Sequence, residues 1–105
     1  MNRRVVVTGL GTVTALGLKV EDLWRRVLAG ESGIGPITLF DTAGGDMTGR
    51  PFKVNFAGEV RGWPPAGYIS SKDEKRIDRF AQFALVAGVD AVKDSGIDFA
   101  REDAF

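Results

Sequence analysis

Four basic side chains in the stretch "SKDEKRIDR" are spaced so that they could bind an acidic surface. They recur at intervals of three and four residues, on one side of a continuous helix: Lys72, Lys75, Arg76 and Arg79. The alternative is a solvated helix face, which the neighbouring carboxylates of Asp73, Glu74 and Asp78 favour. Since Lys plus Arg and Asp plus Glu each total 14, the net charge is zero. A basic patch would therefore be local, suited to one protein partner and not to nucleic acid or a membrane surface.

The glycines of "RRVVVTGLGTVTALG" raise a second possibility, which is phosphate binding after a buried strand. A dinucleotide fingerprint needs a third glycine three residues after Gly11, where this chain has Thr14. Its helix should also begin inside the loop, but helical periodicity starts only near Val20. We therefore interpret Gly9 and Gly11 as a tight strand-to-loop turn under close packing, with no nucleotide cofactor.

The composition limits what chemistry the chain can do alone, because it contains no cysteine and no histidine. It lacks a thiolate nucleophile, thiolate metal ligands and the commonest general base near neutral pH. Its paired carboxylates fall in the first turns of predicted helices, where they compensate the helix dipole. We expect neither a metal site nor acid–base catalysis by this chain alone.

Strand and helix patterns alternate along the first sixty residues. The apolar, β-branched run of residues 4–8 predicts a strand buried on both faces, as in an α/β sheet. Apolar residues at helical spacing predict a helix over residues 20–29, ended by Gly30. The Gly-, Thr- and Asp-rich residues 32–50 are interpreted mostly as loop, and residues 53–60 alternate as a strand.

A second helical region follows the turn-rich "RGWPPAGY". Ser71 and Glu74 have the spacing of a capping box, and Gly96 marks the helix end. Because Asp78 could cap a fresh start, the region is either one helix or a short helix, a break and a long helix. Apolar residues cover most of its circumference, which predicts burial in a larger core.

The length and bulk composition are those of one globular domain. The chain has 105 residues, 44% of them hydrophobic and 27% charged. No apolar run is long enough to span a membrane, and no signal-peptide core follows the N-terminal "MNRR". We expect a cytoplasmic protein.

Four stretches carry a resemblance to a known family: "RRVVVTGLGTVTALG", "LWRRVLAGESGIGPITLFDT", "FAGEV" and "YISSKDEKRIDRFAQFALVAGVDAVKDSGID". In this order they resemble the opening of the β-ketoacyl-[acyl carrier protein] synthases, most closely the type II condensing enzymes of bacterial fatty-acid synthesis. The resemblance covers residues 1–105 as a partial N-terminal domain. It implies an incomplete N-terminal portion of a thiolase-like fold, an α/β fold with αβαβα layers, whose first strand and glycine loop bind no nucleotide.

The resemblance also implies a reaction. The family transfers an acyl chain onto a cysteine and joins it to malonyl carried on acyl carrier protein, with decarboxylation supplying the carbanion. The enzymes are homodimers, and their cysteine and two histidines lie downstream of the region resembled here. This chain alone is therefore expected to be inactive, and no cofactor is implied.

One functional feature maps onto this chain residue by residue. In the bacterial enzymes, basic residues in the segment matching "SKDEKRID" help to dock the acidic helix of acyl carrier protein. The resemblance places that role on Lys72, Lys75 and Arg76, whereas Arg79 falls at a variable position. It therefore favours docking over a merely solvated face.

Two other interpretations stay open at this point. The chain could be a non-catalytic module that binds carrier protein or a partner synthase, or part of a polyketide-type ketosynthase. The segment of residues 41–61 is longer and richer in glycine than the matching segment usually is in the family, and "RGWPPAG" replaces a more acidic segment. These departures bear on the subclass and not on the family.

Overall fold

The structure, a computed structural model, describes residues 2–102. Its elements in chain order are α1 (Val20–Leu28), β1 (Gly35–Pro36), β2 (Phe56–Ala57), α2 (Ser71–Glu74), α3 (Arg79–Ser95) and a 3₁₀ turn (Phe99–Arg101). Two compact units divide the described residues. The first unit combines the residues up to Val13 with those from Pro64 onward, and the second unit is Thr14–Trp63. Helices together with a small sheet agree with the predicted α/β class.

The first helix ends where its glycine predicts. Gly30 follows α1 with a φ of 71°, in the left-handed region that favours glycine. Its N–H donates to the carbonyl of Val27 at 3.0 Å, and the N–H of Glu31 donates to that of Arg26 at 3.0 Å. These two bonds form a Schellman motif, which satisfies carbonyls that the helix end would otherwise leave without donors.

The sheet of the second unit is small. β1 and β2 pair antiparallel, with Pro36 opposite Phe56. Because Pro36 has no N–H, the next bond comes from Ile37, whose N–H donates to the carbonyl of Asn55 at 2.9 Å. The strand predicted over residues 53–60 is therefore confirmed only in its central part.

The strand predicted over residues 4–8 is not formed. No other described segment pairs with these residues, and the side chains of Val5, Val6 and Val7 are 94%, 66% and 80% exposed. A strand is stable only when neighbouring backbone takes up its N–H and C=O groups, and that partner is not among the described residues. The prediction of a strand buried on both faces is wrong for this structure.

The glycines that follow lie directly on α3. A Cβ atom on Gly9 would stand 2.1 Å from the carbonyl oxygen of Ala91, and one on Gly11 would stand 1.9 Å from that of Ala87. Both distances are far inside van der Waals contact, so no side chain fits at either position. The predicted close packing is confirmed, and the two alanines, one helical turn apart, form the face that receives the glycines.

The interior of the first unit lies along α3. Val86 is 1% exposed and Gln82 is 6% exposed. The N–H of Leu10 donates to the carboxylate of Asp94 at 2.9 Å, which ties the glycine loop to the C-terminal half of the helix. α3 ends at Gly96, as predicted, with a φ of 69°.

Most of the large apolar side chains in the described residues face solvent. On α3 alone these are Phe80, Leu85, Val89 and Val92, with Phe80 74% exposed. Among the described residues, Val86 is the only apolar residue that is buried. No helix of residues 2–102 is long and apolar enough to cross a membrane. The large apolar residues around α3, which were predicted to be buried in a larger core, are thus mostly exposed in this structure.

We expect the isolated 105-residue chain to be poorly soluble or molten, because so much apolar surface stays in water. Far-UV circular dichroism should show helix, while the near-UV signal of Trp24 and Trp63 should be weak and ANS should bind. A monomeric, cooperative urea transition with a slope of about 1 kcal/mol/M or more would contradict this expectation.

Candidate docking surface

The short helix α2 begins at a serine cap. The hydroxyl of Ser70 accepts the N–H of Asp73 at 3.1 Å and donates to the Asp73 carboxylate at 2.9 Å. Ser70 has extended backbone, with φ −70° and ψ 153°, so the helix starts at the next residue. The capping box predicted at Ser71 and Glu74 is therefore wrong by one residue.

A break separates α2 from α3. The N–H groups of Arg76 and Ile77 both donate to the carbonyl of Asp73, at 2.9 and 3.0 Å, and close the end of α2. Asp78 is extended, with φ −61° and ψ 149°, and α3 starts directly after it, although the Asp78 side chain does not make the predicted capping hydrogen bond. The alternative of a short helix, a break and a long helix is confirmed, so the four cations do not share one continuous helical stripe.

The three predicted docking residues lie on the docking element, the name used here for residues 70–78. Lys72 is on α2, whereas Lys75 and Arg76 are in the break. All three side chains are exposed, and none forms an ion pair or a side-chain hydrogen bond with another residue of 2–102. Arg79 differs, since its guanidinium lies 5.2 Å from the ring centroid of Phe83 on α3.

A buried amide holds the break against α3. The Gln82 side-chain nitrogen donates to the carbonyl of Glu74 at 3.1 Å and to that of Ile77 at 2.8 Å. These carbonyls lie immediately before and after Lys75 and Arg76. Sequence reasoning missed Gln82, and its only signal was a polar residue inside an apolar pattern.

A second contact holds the chain just before the docking element. The Tyr68 hydroxyl donates to the carboxylate of Asp90 on α3. The ammonium nitrogen of Lys93, almost one turn further along, lies 4.9 Å from the centroid of the Tyr68 ring. Two contacts with α3 therefore hold this part of the chain: Tyr68 just before the docking element and Gln82 at its break.

The second unit contains a buried carboxylate with a structural role. Glu59 is 8% exposed and accepts the Thr38 hydroxyl at 2.7 Å, the Thr38 N–H at 2.8 Å and the Leu39 N–H at 3.1 Å. Because these donors, the Thr38 hydroxyl first, stabilise the charged form, the pKa of the Glu59 carboxyl lies below its ordinary value. A carboxylate so engaged fixes a loop and is not poised to take up a proton.

A pocket in the second unit offers little chemistry. Its polar side chains are those of Thr14, Ser32, Arg26 and Arg61, and its lining includes no carboxylate. Arg26 is already engaged, since it donates to the Leu16 carbonyl and to the Glu31 carboxylate, each at 2.6 Å. Across residues 2–102 no three carboxylates are grouped to hold a metal ion.

Comparison with known proteins decides the family. The sequence profile of the family described as "Beta-ketoacyl synthase, N-terminal domain" matches residues 2–104. The chain belongs to the β-ketoacyl synthase family. Its match within that family is to the N-terminal domain, as the resemblance of the four sequence stretches predicts.

Three relatives, all called 3-oxoacyl-[acyl-carrier-protein] synthase 2, show how far the likeness extends. The proteins of Vibrio cholerae and Coxiella burnetii are each 42% identical to this chain over 102 residues, which is 97% of the chain. That of Staphylococcus aureus is 38% identical over 103 residues, 98% of the chain. The β-ketoacyl synthase chain spans 23% of the length of each relative.

We expect the Glu59 carboxylate to stabilise the fold above about pH 4.3, the ordinary pKa of an unfolded glutamate. Its lowered pKa in the folded state means that this stabilisation is lost as the pH falls through that folded value. The test protein is a chimera in which this chain replaces the matching N-terminal segment of the Vibrio cholerae relative. Glu59→Gln should lower its unfolding temperature at pH 7, and the difference should shrink toward pH 3.

The control for this test is Glu21→Gln, which removes an exposed carboxylate without a hydrogen-bonded partner in residues 2–102. It should change the unfolding temperature little at either pH. Equal unfolding temperatures for Glu59→Gln and the parent chimera at pH 7 would show that the Thr38 contacts do not stabilise the fold.

Proposed function

We propose that this chain is the N-terminal part of a 3-oxoacyl-[acyl carrier protein] synthase that condenses acyl chains with malonyl-[acyl carrier protein] in fatty-acid biosynthesis. The observation that carries the proposal is the family match over residues 2–104, together with three relatives that bear this name. In the reaction, malonyl loses carbon dioxide, and the resulting carbanion attacks an acyl thioester and releases the cysteine thiolate. Because this chain has neither cysteine nor histidine, its own part is recognition and scaffolding.

The uncovered apolar surfaces support the layered fold as part of this proposal. In the complete enzyme, residues 4–8 pair as a strand of an inner sheet, and the exposed apolar side of α3 packs against a neighbouring layer. The exposure of Val5, Val6 and Val7 is the structural support, since three adjacent valines in water are unfavourable. The homodimer belongs to the same proposal and follows from the family alone.

The docking element is proposed to bind acyl carrier protein through Lys72, Lys75 and Arg76. Three cations within five residues are exposed and unpaired with any carboxylate of residues 2–102, so an acidic partner need not displace an existing ion pair. Within the element, the carboxylate of Asp73 accepts a hydrogen bond from the Ser70 hydroxyl. The docking element carries three cations and three carboxylates, so it offers a partner unpaired cations and not an excess of positive charge.

A second function is favoured by one observation, which is the absence of cysteine and histidine. A chain without them suits a non-catalytic module that binds carrier protein or a partner synthase. The genomic sequence downstream distinguishes the two proposals. A reading frame that continues into a strand ending in cysteine and two histidine motifs supports the condensing enzyme, and a stop codon after Phe105 supports the module.

Charge reversal tests the docking proposal. In the chimera, Lys72→Glu/Lys75→Glu/Arg76→Glu should weaken the affinity for malonyl-acyl carrier protein by about tenfold or more at low ionic strength. Raising the salt to physiological strength should narrow the difference, because exposed charges are screened over about 8 Å. Titration by fluorescence anisotropy at both salt concentrations measures the effect.

The matched control reverses three exposed cations elsewhere, Arg50→Glu/Lys53→Glu/Arg101→Glu, and so changes the net charge equally. It should leave the dissociation constant within about twofold. Equal loss in the two variants would mean that net charge alone matters. Unchanged affinity in the variant at positions 72, 75 and 76 would reject the docking surface.

A further inference from the structure

The two cations at the centre of the docking element lie in a segment without regular structure. α2 ends at Glu74 and α3 begins at Arg79, so Lys75 and Arg76 are not held by a continuous helix. A flexible segment would have to be ordered when a partner binds, and that ordering opposes binding. Something must therefore fix this segment beforehand if its charges are to act together.

The amide of Gln82 does this with both of its N–H groups. A glutamine amide has two donors, and here they bond the carbonyls of Glu74 and Ile77. These carbonyls bracket Lys75 and Arg76 on the chain. Glu74 is the last residue of α2, whose end leaves its carbonyl without a helical donor, and Ile77 lies in the break. Because Gln82 is only 6% exposed, water does not readily replace it.

The Tyr68 contact fixes the other side of the docking element. Tyr68 lies two residues before the Ser70 cap, and its hydroxyl donates to the carboxylate of Asp90. Asp90 lies about two helical turns beyond Gln82 on α3. The element is thus attached to one rigid helix at two separated places. Two attachments restrict both the position and the rotation of the element, whereas a single attachment would leave it free to rotate.

We propose that Gln82 is a positioning residue for carrier-protein recognition, holding Lys75 and Arg76 in the orientation that an acidic partner helix meets, with Tyr68 and Asp90 as a second anchor. The proposal rests on the proposed docking function. It separates two contributions to binding: the charges attract the partner, and the amide keeps them aligned. Steering charge acts on the association rate, and alignment acts on the dissociation rate.

A double-mutant cycle in the chimera tests the proposal. Gln82→Met keeps the side-chain size but removes both donors. It should raise the dissociation rate of malonyl-acyl carrier protein by about tenfold and leave the association rate within about twofold. In the Lys75→Gln/Arg76→Gln background, the same change should have less than about twofold effect, since no charges remain there to align.

A purely structural role for Gln82 predicts a different pattern. It would lower the unfolding temperature and weaken binding by the same factor in both backgrounds, which would overturn the proposal. If Gln82→Met prevents folding, Tyr68→Phe removes only one hydroxyl, and it should raise the dissociation rate in the parent chimera but not in the Lys75→Gln/Arg76→Gln background. An equal effect in both backgrounds would again reject positioning.

The cycle also separates this inference from the docking function on which it rests. If the variant with Glu at positions 72, 75 and 76 binds as tightly as the parent chimera, the docking function itself fails. If that variant loses binding and Gln82→Met changes the dissociation rate equally in both backgrounds, docking stands and only the role of Gln82 fails. Faster amide hydrogen exchange at Arg76 and Ile77 in Gln82→Met would accompany the expected result.

Discussion

The close approach of the glycine loop to α3 is the constraint on which the first unit depends. Gly9 and Gly11 bring their backbone so near the carbonyls of Ala91 and Ala87 that no side chain fits between them. Dispersion contacts and the bond from Leu10 to the C-terminal half of α3 then fix this helix relative to the loop. α3 in turn holds the docking element, because Gln82 on this helix donates to the carbonyls of Glu74 and Ile77. Glycines that a sequence search would test for phosphate binding thus serve helix packing.

The docking element shows why position matters as much as charge. A single exposed ion pair contributes between about 0 and 1 kcal/mol, so one lysine cannot select a partner. Three cations presented together can do so, provided that they meet the partner simultaneously. The chain has no cysteine or histidine, so its contribution to the proposed enzyme is to orient such charges and not to carry out the reaction. Burying Gln82 in the first turn of α3 stabilises that orientation without placing a charge in the interior.

Local features were predictable from the sequence, and features that depend on distant partners were not. The two long helices, their glycine ends at Gly30 and Gly96 and the possible break at Asp78 follow from periodicity and capping over a few residues. The strand over residues 4–8 was not formed, because pairing needs backbone that the described residues do not supply. The docking residues came from the family resemblance. The two hydrogen bonds of Gln82 could not be predicted from the sequence, because they depend on the backbone path of the break, which no local pattern encodes.

The proposed layered enzyme requires the exposed valines of this β-ketoacyl synthase chain to pair with a neighbouring strand. Amide hydrogen exchange at Val5, Val6 and Val7 tests it most directly, measured in the isolated chain and in the chimera with the Vibrio cholerae relative. We expect rapid exchange in the isolated chain and strong protection in the chimera, because a central strand opens only on global unfolding. Equally rapid exchange in a folded, condensing chimera would show that residues 4–8 do not form a central strand.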